Sequence, residues 1–210
     1  KNIDHPKPPD KKLLDANVAP SEKALKDYSR FKVTKNGVSP RAIPGTPRGM
    51  HVVTGLEHSE KGKPVYDAGT HTDMSAKRYR KLDGALREIP KPEWFGDKKD
   101  VQIGVLSWGS TAGAAKEAVM RARKSGVKAA ALSGVSLAPL HTPQITKFTA
   151  ACDKVLVPEG NYSGQFANLL DGAITRQFER LGDIPCAPIP AQDIYEKILD
   201  MAEHKGKKKQ

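Results

Sequence analysis

The sequence predicts an α/β domain with a mainly parallel sheet over residues 100–204, preceded by a long irregular segment over 1–99 and followed by a basic tail at 205–210. Three observations lead there. VQIGVLSWG is a continuous apolar run of the kind that a parallel strand buried on both faces requires, and VKAAALSGVSL and KVLVPEGN repeat the pattern. Stretches with helical character stand between these runs, and strands alternating with helices make a layered domain. Near Asp100 a proline- and glycine-rich chain gives way to that regular alternation.

Taken in order, residues 1–21 are polar and proline-rich and read as a linker or a chain start. Glu22–Asp27 fits a helical turn. Phe31–Thr34 alternates and runs into Lys35-Asn36-Gly37-Val38. There Asn-Gly predicts a hairpin, because both turn residues must accept positive φ. Residues 36–62, NGVSPRAIPGTPRGMHVVTGLEHSEKG, keep neither a helical nor a strand period, yet carry Val38, Ile43, Met50, Val52, Val53 and Leu56. Loops of this length in compact domains are functional or disordered, and disordered segments are poor in large apolar residues. The six apolar side chains therefore predict a loop ordered by packing against neighbouring domains or subunits. Thr72-Asp73 is expected to cap a helix through Leu86, with Met74, Tyr79, Leu82 and Leu86 on one face and Lys77, Arg78, Arg80 and Lys81 mostly exposed.

In the α/β part, the first strand turns at Gly109, and Ser110 or Thr111 caps TAGAAKEAVMRARKS, which Gly126 closes. After the second strand, Thr142 is the expected N-cap, with Pro143 at the first helical position. KVLVPEGN then leads into a helix over SGQFANLLDGAITRQFERL. A short strand within 184–190 and a closing helix over 193–204 complete the pattern, the latter with Ile194, Ile198, Leu199 and Ala202 on one face.

Composition narrows the function classes. No apolar run reaches the ~18 residues of a membrane span, and the N-terminus lacks the apolar region of a signal peptide. The two cysteines, Cys152 and Cys186, form no C-x-x-C motif, so neither a disulfide framework nor an iron–sulfur cluster held by this chain alone is expected. A reducing cytoplasm is the expected compartment. The formal net charge of +11 comes from residues 1–100, net +7, and from the tail, net +4, while 101–204 is neutral. Aromatic residues are few and not interleaved with the basic ones, so the charge reads as solvated surface and not as a nucleic-acid interface.

Two loops of the α/β part are candidate sites. WGSTAG, with Ser110 and Thr111 at a helix N-terminus, either holds an anion or serves close strand–helix packing. EGNYSGQ places Glu159, Asn161, Tyr162 and Gln165 at the C-terminal end of the third strand, the edge where open α/β sheets bind ligands. The alternative there is that Asn161 or Ser163 only caps the next helix. His51, Glu57 and His58 make an incomplete donor set for a structural metal. No nucleophile–His–acid set or carboxylate pair stands out, so no catalytic residue is assigned.

Several segments together resemble one family. NGVSPRAIPGTPRG, HVVTGLEHSEKG, KRYRKLDGA, SWGSTAGAAKEAV, LAPLHTPQI and VPEGNYSGQFANLL stand in the order found in the C-terminal half of the alpha subunit of 2-oxoacid:ferredoxin oxidoreductases. TGLEH and KRYRKL are most similar to the 2-oxoglutarate type. The resemblance covers roughly residues 28–174. It implies a three-layer domain like the C-terminal domain of transketolase, with a linker region before it. A pyrimidine-binding thiamine-diphosphate domain would precede this chain, and the complex would use thiamine diphosphate, Mg2+, a [4Fe–4S] cluster and coenzyme A. None of these is expected to be held by this chain alone. Implied partners are the beta subunit, the N-terminal part of the alpha subunit and, through the complex, ferredoxin, in a hetero-oligomer. In that setting Ser39, Pro40, Arg41, Pro44 and Gly45 form the stiffest part of the long loop. Arg41 would pair with a carboxylate of another subunit or reach an anionic substrate such as coenzyme A. The other reading is a free-standing binding or regulatory module of the same fold, taking an anionic ligand at Ser110–Gly113 or Asn161–Gln165.

Overall fold

The computed structural model of the protein describes residues 20–182 and 187–203. The chain divides between Ala85 and Leu86 into two units. The second is built on a five-stranded sheet of β1 (Glu93–Gly96), β2 (Val101–Trp108), β3 (Ala129–Gly134), β4 (Cys152–Glu159) and β5 (Glu179–Gly182), in the order β1-β3-β2-β4-β5. The pairings β2–β3, β2–β4 and β4–β5 are parallel, and β1 runs antiparallel to β3. The α/β class with a mainly parallel sheet is thus the observed one.

Four helices cover both faces. The helices α3 (Thr111–Lys124) and α6 (Ala191–Glu203) pack with Ile103, Val105, Ala129, Ala131 and Leu156 in one apolar layer. The helices α4 (Thr142–Ala150) and α5 (Gln165–Ala173) share the opposite layer with Leu106, Ala130, Leu132, Val155 and Val157. Neighbouring strand residues such as Val155, Leu156 and Val157 fall alternately into the two layers, as the two-residue period of a strand requires. Because both faces are covered, the strands read as unbroken apolar runs.

Small residues set the depth of this packing. Ala115, Ala118 and Ala122 of α3 meet Ala129 and Ala131 of β3, and all five are at most 1% exposed. At Gly104 in β2, an added Cβ would lie 2.5 Å from Cys152 Sγ and 2.9 Å from the Phe148 ring. Glycine is needed there for close approach, since Phe148 fills the space above the strand. Arg176 then ties the far end of this layer. Its guanidinium donates to the carbonyls of Thr149, Cys152 and Asp153, satisfying groups left free after the last turn of α4.

The first unit contains a short helix, α1 (Glu22–Leu25), capped by Ser21, and one long helix, α2 (Ala68–Ala85). Phe31–Gly62 runs over α2 without forming a strand ladder. It is pinned by polar contacts. Tyr28 Oη donates to Pro40 O at 3.1 Å and accepts from Ala42 N at 2.8 Å. Phe31 N donates to Glu60 O at 2.9 Å, and Ser39 Oγ to Lys32 O at 2.8 Å.

Several expectations are corrected. The Asn36-Gly37 turn forms, with Gly37 N donating to Thr34 O at 3.2 Å, but no hairpin strands flank it. The turn instead seats on α2, where a Cβ on Gly37 would lie 2.5 Å from Lys77 O. The helix α2 starts at Ala68, four residues ahead of the expected cap, because Asp67 Oδ1 accepts from Thr70 N at 2.7 Å. Its buried side chains are Met74 and Lys77, while Tyr79 is 73% exposed and Leu82 is also exposed. The six apolar residues of the long loop bury little within this chain: Val38, Ile43, Met50, Val52, Val53 and Leu56 are all exposed.

In the second unit the sheet begins at Glu93, ahead of the expected Asp100, because four residues too few to show a period are recruited as an edge strand by β3. The helix expected over 163–181 ends at Ala173. Ile174 turns extended, and residues 179–182 become β5 beside β4. The N-cap of α4 is His141 instead of Thr142. Of the short strand expected within 184–190, residues 184–186 lie outside the described residues and 187–190 are not strand. The tail at 205–210, Cys186 and most of the segment 1–21 also lie outside them.

Replacing Gly104 by Ala forces a methyl between Phe148 and Cys152. The expected loss is about 1–3 kcal/mol of stability, typical of overpacking, read as a lower midpoint in urea unfolding. An unchanged midpoint would mean that the layer yields at no cost.

Candidate functional site

Two cavities carry the candidate residues, one in each unit. In the second unit the chain leaves β2 for β3 on one side and later returns to β4 on the other. The carboxyl ends of β2 and β4 therefore border the crevice where open α/β sheets bind ligands. It has a volume of about 390 Å³ and is lined by Ser110, Thr111, Glu159, Asn161 and Gln165 together with Trp108 and Ile189. Five of the six residues expected in the two loops thus converge. The sixth, Tyr162, projects into solvent.

Three of the five polar side chains of this crevice, those of Thr111, Glu159 and Asn161, are engaged with neighbouring main-chain atoms. Thr111 Oγ1 donates to Trp108 O at 2.8 Å. Asn161 Oδ1 accepts from Gln165 N at 3.1 Å, so Asn161 does cap the turn into α5. Glu159 is buried, and its carboxylate accepts from Phe166 N at 2.7 and 2.9 Å and from Ala167 N at 3.3 Å. It occupies the donors of the α5 N-terminus, where an incoming anion would otherwise bind. A fixed carboxylate in the wall also repels an anion at the neighbouring α3 N-terminus. The arrangement suits structural closure of the strand ends better than anion capture.

The first unit is the opposite in charge. A cavity of about 400 Å³ is lined by Arg30, Arg41, Lys77, Arg78 and Lys81, with Ser39, Phe31, Val38 and His58. Ser39 and Arg41, expected as interface or anion contacts, are brought together here. Ser39 Oγ is spent on Lys32 O. Arg41 is exposed and has no hydrogen bond or ion pair among the described residues. Arg78 is committed to Glu57 by two bonds of 2.6 and 3.1 Å, and His71 Nδ1 bonds the same carboxylate. These partners, Arg78 first, hold the Glu57 carboxyl well below the usual carboxylate range. Glu57 is therefore not a free metal donor, and among the described residues no group of three His, Cys, Asp or Glu could hold a metal ion.

Lys77 is the residue that sequence reasoning missed. Its position in the run KRYRK suggests solvent, but it is only 8% exposed, and Nζ donates to Phe31 O at 2.7 Å. Burial, followed by the positive charges of Lys81, Arg30 and Arg78, pushes its ammonium down from 10.5 to about 8, while Glu60 acts the other way. A helical period of Met74 and Lys77 on one face was the available signal.

Among the described residues no cysteine lines these cavities. Cys152 lies in the core, donates to Phe148 O at 3.1 Å, and burial pushes its thiol up to about 12. A protonated, buried thiol does not fit an iron–sulfur cluster.

With this geometry in view, residues 102–185 match the family model described as the pyruvate:ferredoxin oxidoreductase core domain II, so the second unit is a domain of that class. Three known proteins carry the likeness further. The alpha subunit of 2-oxoacid:ferredoxin oxidoreductase 2 from Aeropyrum pernix is 34% identical over 162 residues, 76% of this chain and 24% of that protein. That of 2-oxoacid:ferredoxin oxidoreductase 1 from Sulfurisphaera tokodaii is 32% identical over 146 residues, 68% of this chain and 22% of that protein. The solved 2-oxoglutarate:ferredoxin oxidoreductase from Magnetococcus marinus, with 2-oxoglutarate, coenzyme A and succinyl-CoA bound, superposes with a TM-score of 0.81 at 30% identity. That match covers 88% of this chain and 32% of the other. The chain belongs to the family of 2-oxoacid:ferredoxin oxidoreductase alpha subunits, and it spans 22–24% of the length of these curated relatives.

In the folded state Lys77 releases its proton near pH 8, whereas in the unfolded chain it holds the proton to about 10.4. The unfolded state therefore binds more protons in that window, and the contribution of Lys77 to stability rises with pH from about 8 to about 10.4. The measurement is the Lys77 side-chain NMR titration, with the melting temperature followed over the same range. Lys77→Met should remove the part of the rise owed to this group.

Proposed function

We propose that this chain is the part of an alpha subunit that serves assembly of a thiamine-diphosphate-dependent 2-oxoacid:ferredoxin oxidoreductase. The preferred substrate is 2-oxoglutarate, supported by the Magnetococcus marinus enzyme, whose structure holds 2-oxoglutarate, coenzyme A and succinyl-CoA. The overall conversion joins 2-oxoacid and coenzyme A to give acyl-CoA, carbon dioxide and reduced ferredoxin. The cofactor supplies carbanion chemistry and the cluster carries electrons, both held by other parts of a cytoplasmic hetero-oligomer that includes the beta subunit and the N-terminal part of the alpha subunit.

One observation carries the assembly role. The loop 38–56 is pinned by polar contacts on its inner side while its apolar side chains point outward. Met50 is 94% exposed, Val53 70%, Ile43 57% and Leu56 56%, and Tyr66 is exposed beyond them. Contiguous exposed apolar side chains mark interaction surfaces. The free-standing anion-binding reading at Ser110–Gly113 or Asn161–Gln165 is disfavoured by the Glu159 carboxylate in that crevice.

Two outcomes are expected. The purified chain alone shows no 2-oxoglutarate-dependent viologen reduction, and turnover above background would sink the assembly reading. Met50→Ser with Val53→Ser weakens co-purification with the remaining parts of the complex, while thermal stability of the isolated chain stays within about 0.5 kcal/mol per site, as for exposed positions. A large loss of stability with assembly intact would mean that these side chains belong to the chain's own core.

A further inference from the structure

We infer that Lys77 is a site of reversible carbamylation by carbon dioxide, the carbamate being held by the cations around it. This goes beyond the assembly reading and stands without it. Lys77 lines the first unit's cavity, whose other cationic side chains are Arg30, Arg41, Arg78 and Lys81. Packing holds it there: the residue is 8% exposed, and Nζ donates to Phe31 O at 2.7 Å. Arg30 and Lys77 lie over the same Phe31 ring, at 5.1 and 5.7 Å from its centroid.

This is a poor place for an ammonium. Lys77 has no ion pair among the described residues. Glu57 is bonded to Arg78 and His71, and Glu60, the acidic group that acts on Lys77, accepts from Val33 N. Burial, then repulsion by Lys81, Arg30 and Arg78, brings the ammonium down to about 8. The free amine is the nucleophilic form, and desolvation beside other cations is how a lysine is activated. An exposed lysine, at about 10.4, offers far less of it near neutral pH.

The step balances without an oxidant or a further reactant. The Nζ lone pair forms a bond to the carbon of carbon dioxide, one C–O π bond breaks towards oxygen, and one N–H proton passes to water. The side chain changes from a cation to an anion. Carbon dioxide suits the position because it is uncharged, so the surrounding cations do not repel it, and because three atoms in a row can reach a nitrogen that bulkier electrophiles cannot. The product suits its surroundings. Its remaining N–H still serves Phe31 O, and its two oxygens become acceptors among cations. Arg41 and Lys81 have no ion pair or hydrogen bond among the described residues, and a guanidinium fork matches a carboxylate-like group. Arg41 stands on the long loop and Lys81 on α2, so the adduct would tie one to the other.

The test uses the full 210-residue chain equilibrated with 13C-labelled carbon dioxide and bicarbonate at pH 8. The adduct is detected by 13C NMR, then trapped with triethyloxonium and located by peptide mass spectrometry. Trapping at Lys77 is expected to exceed that at every exposed lysine, and the NMR signal should disappear when carbon dioxide is purged. The α-amino group, with an ordinary pKa of about 7.7–8.0, is the internal reference. Lys77→Arg should remove the Lys77 adduct and leave the α-amino one. Arg41→Gln with Lys81→Gln keeps the amine but removes cations, and should lower the trapped fraction at Lys77 about tenfold. Lys63→Gln with Lys91→Gln removes the same charge outside the cavity and should leave that fraction unchanged. Three results would overturn the proposal: trapping at the α-amino group alone, a Lys77 adduct no more abundant than those on exposed lysines, or equal loss in the two double variants.

Discussion

Burial of the two central parallel strands on both faces is the constraint from which the second unit follows. The strands β2 and β4 pair side by side, with helices above and below, so no polar side chain is tolerated along most of their length. The closeness of the helices then depends on the smallest residues. Alanines at the α3–β3 contact and Gly104 under Phe148 let backbone approach backbone without voids. Polar groups are displaced to the ends of the layers. Arg176 closes one end by serving three carbonyls, and Glu159 closes the other by serving two amides of α5.

The first unit is organised by the opposite principle. It has one long helix and little apolar burial, with Ala42 and Met74 as its buried hydrophobic residues among those described. Its long loop is held by specific hydrogen bonds from Tyr28, Ser39 and Glu60, and by the Glu57–Arg78–His71 cluster against α2. Polar pins of this kind fix a path without needing a core, and they leave the apolar side chains of the same loop turned outward. A segment built in this way keeps its shape and offers contact area at once.

Charge is distributed to match. The second unit's crevice carries the Glu159 carboxylate buried and already bonded, and Thr111 and Asn161 are also bonded to main-chain atoms of their own loops. The first unit gathers its cations around a cavity and leaves most of them without carboxylates among the described residues.

The α/β class, the three central strands, the helices between them and the family were legible in the sequence, because continuous apolar runs and capped helical stretches are local patterns with fixed periods. The sequence marked Ser110 and Thr111, and Glu159, Asn161 and Gln165, as two separate candidate loops; that they line one crevice is a result of the strand order. What only the tertiary structure decided are the features that depend on distant partners. Residues 93–96 become a strand because β3 offers an edge, and residues 179–182 because β4 does; neither has a period long enough to declare itself. The Asn36-Gly37 turn gains a helix to rest on instead of a hairpin partner. Glu159 becomes a cap through amides seven and eight residues away. Lys77 is buried by Phe31, 46 residues distant, so a run that reads as solvated charge contributes a desolvated ammonium. Sequence pattern records which face of an element is apolar; which neighbour arrives there, and what it does to a charge, is settled by packing between segments that the local pattern cannot see.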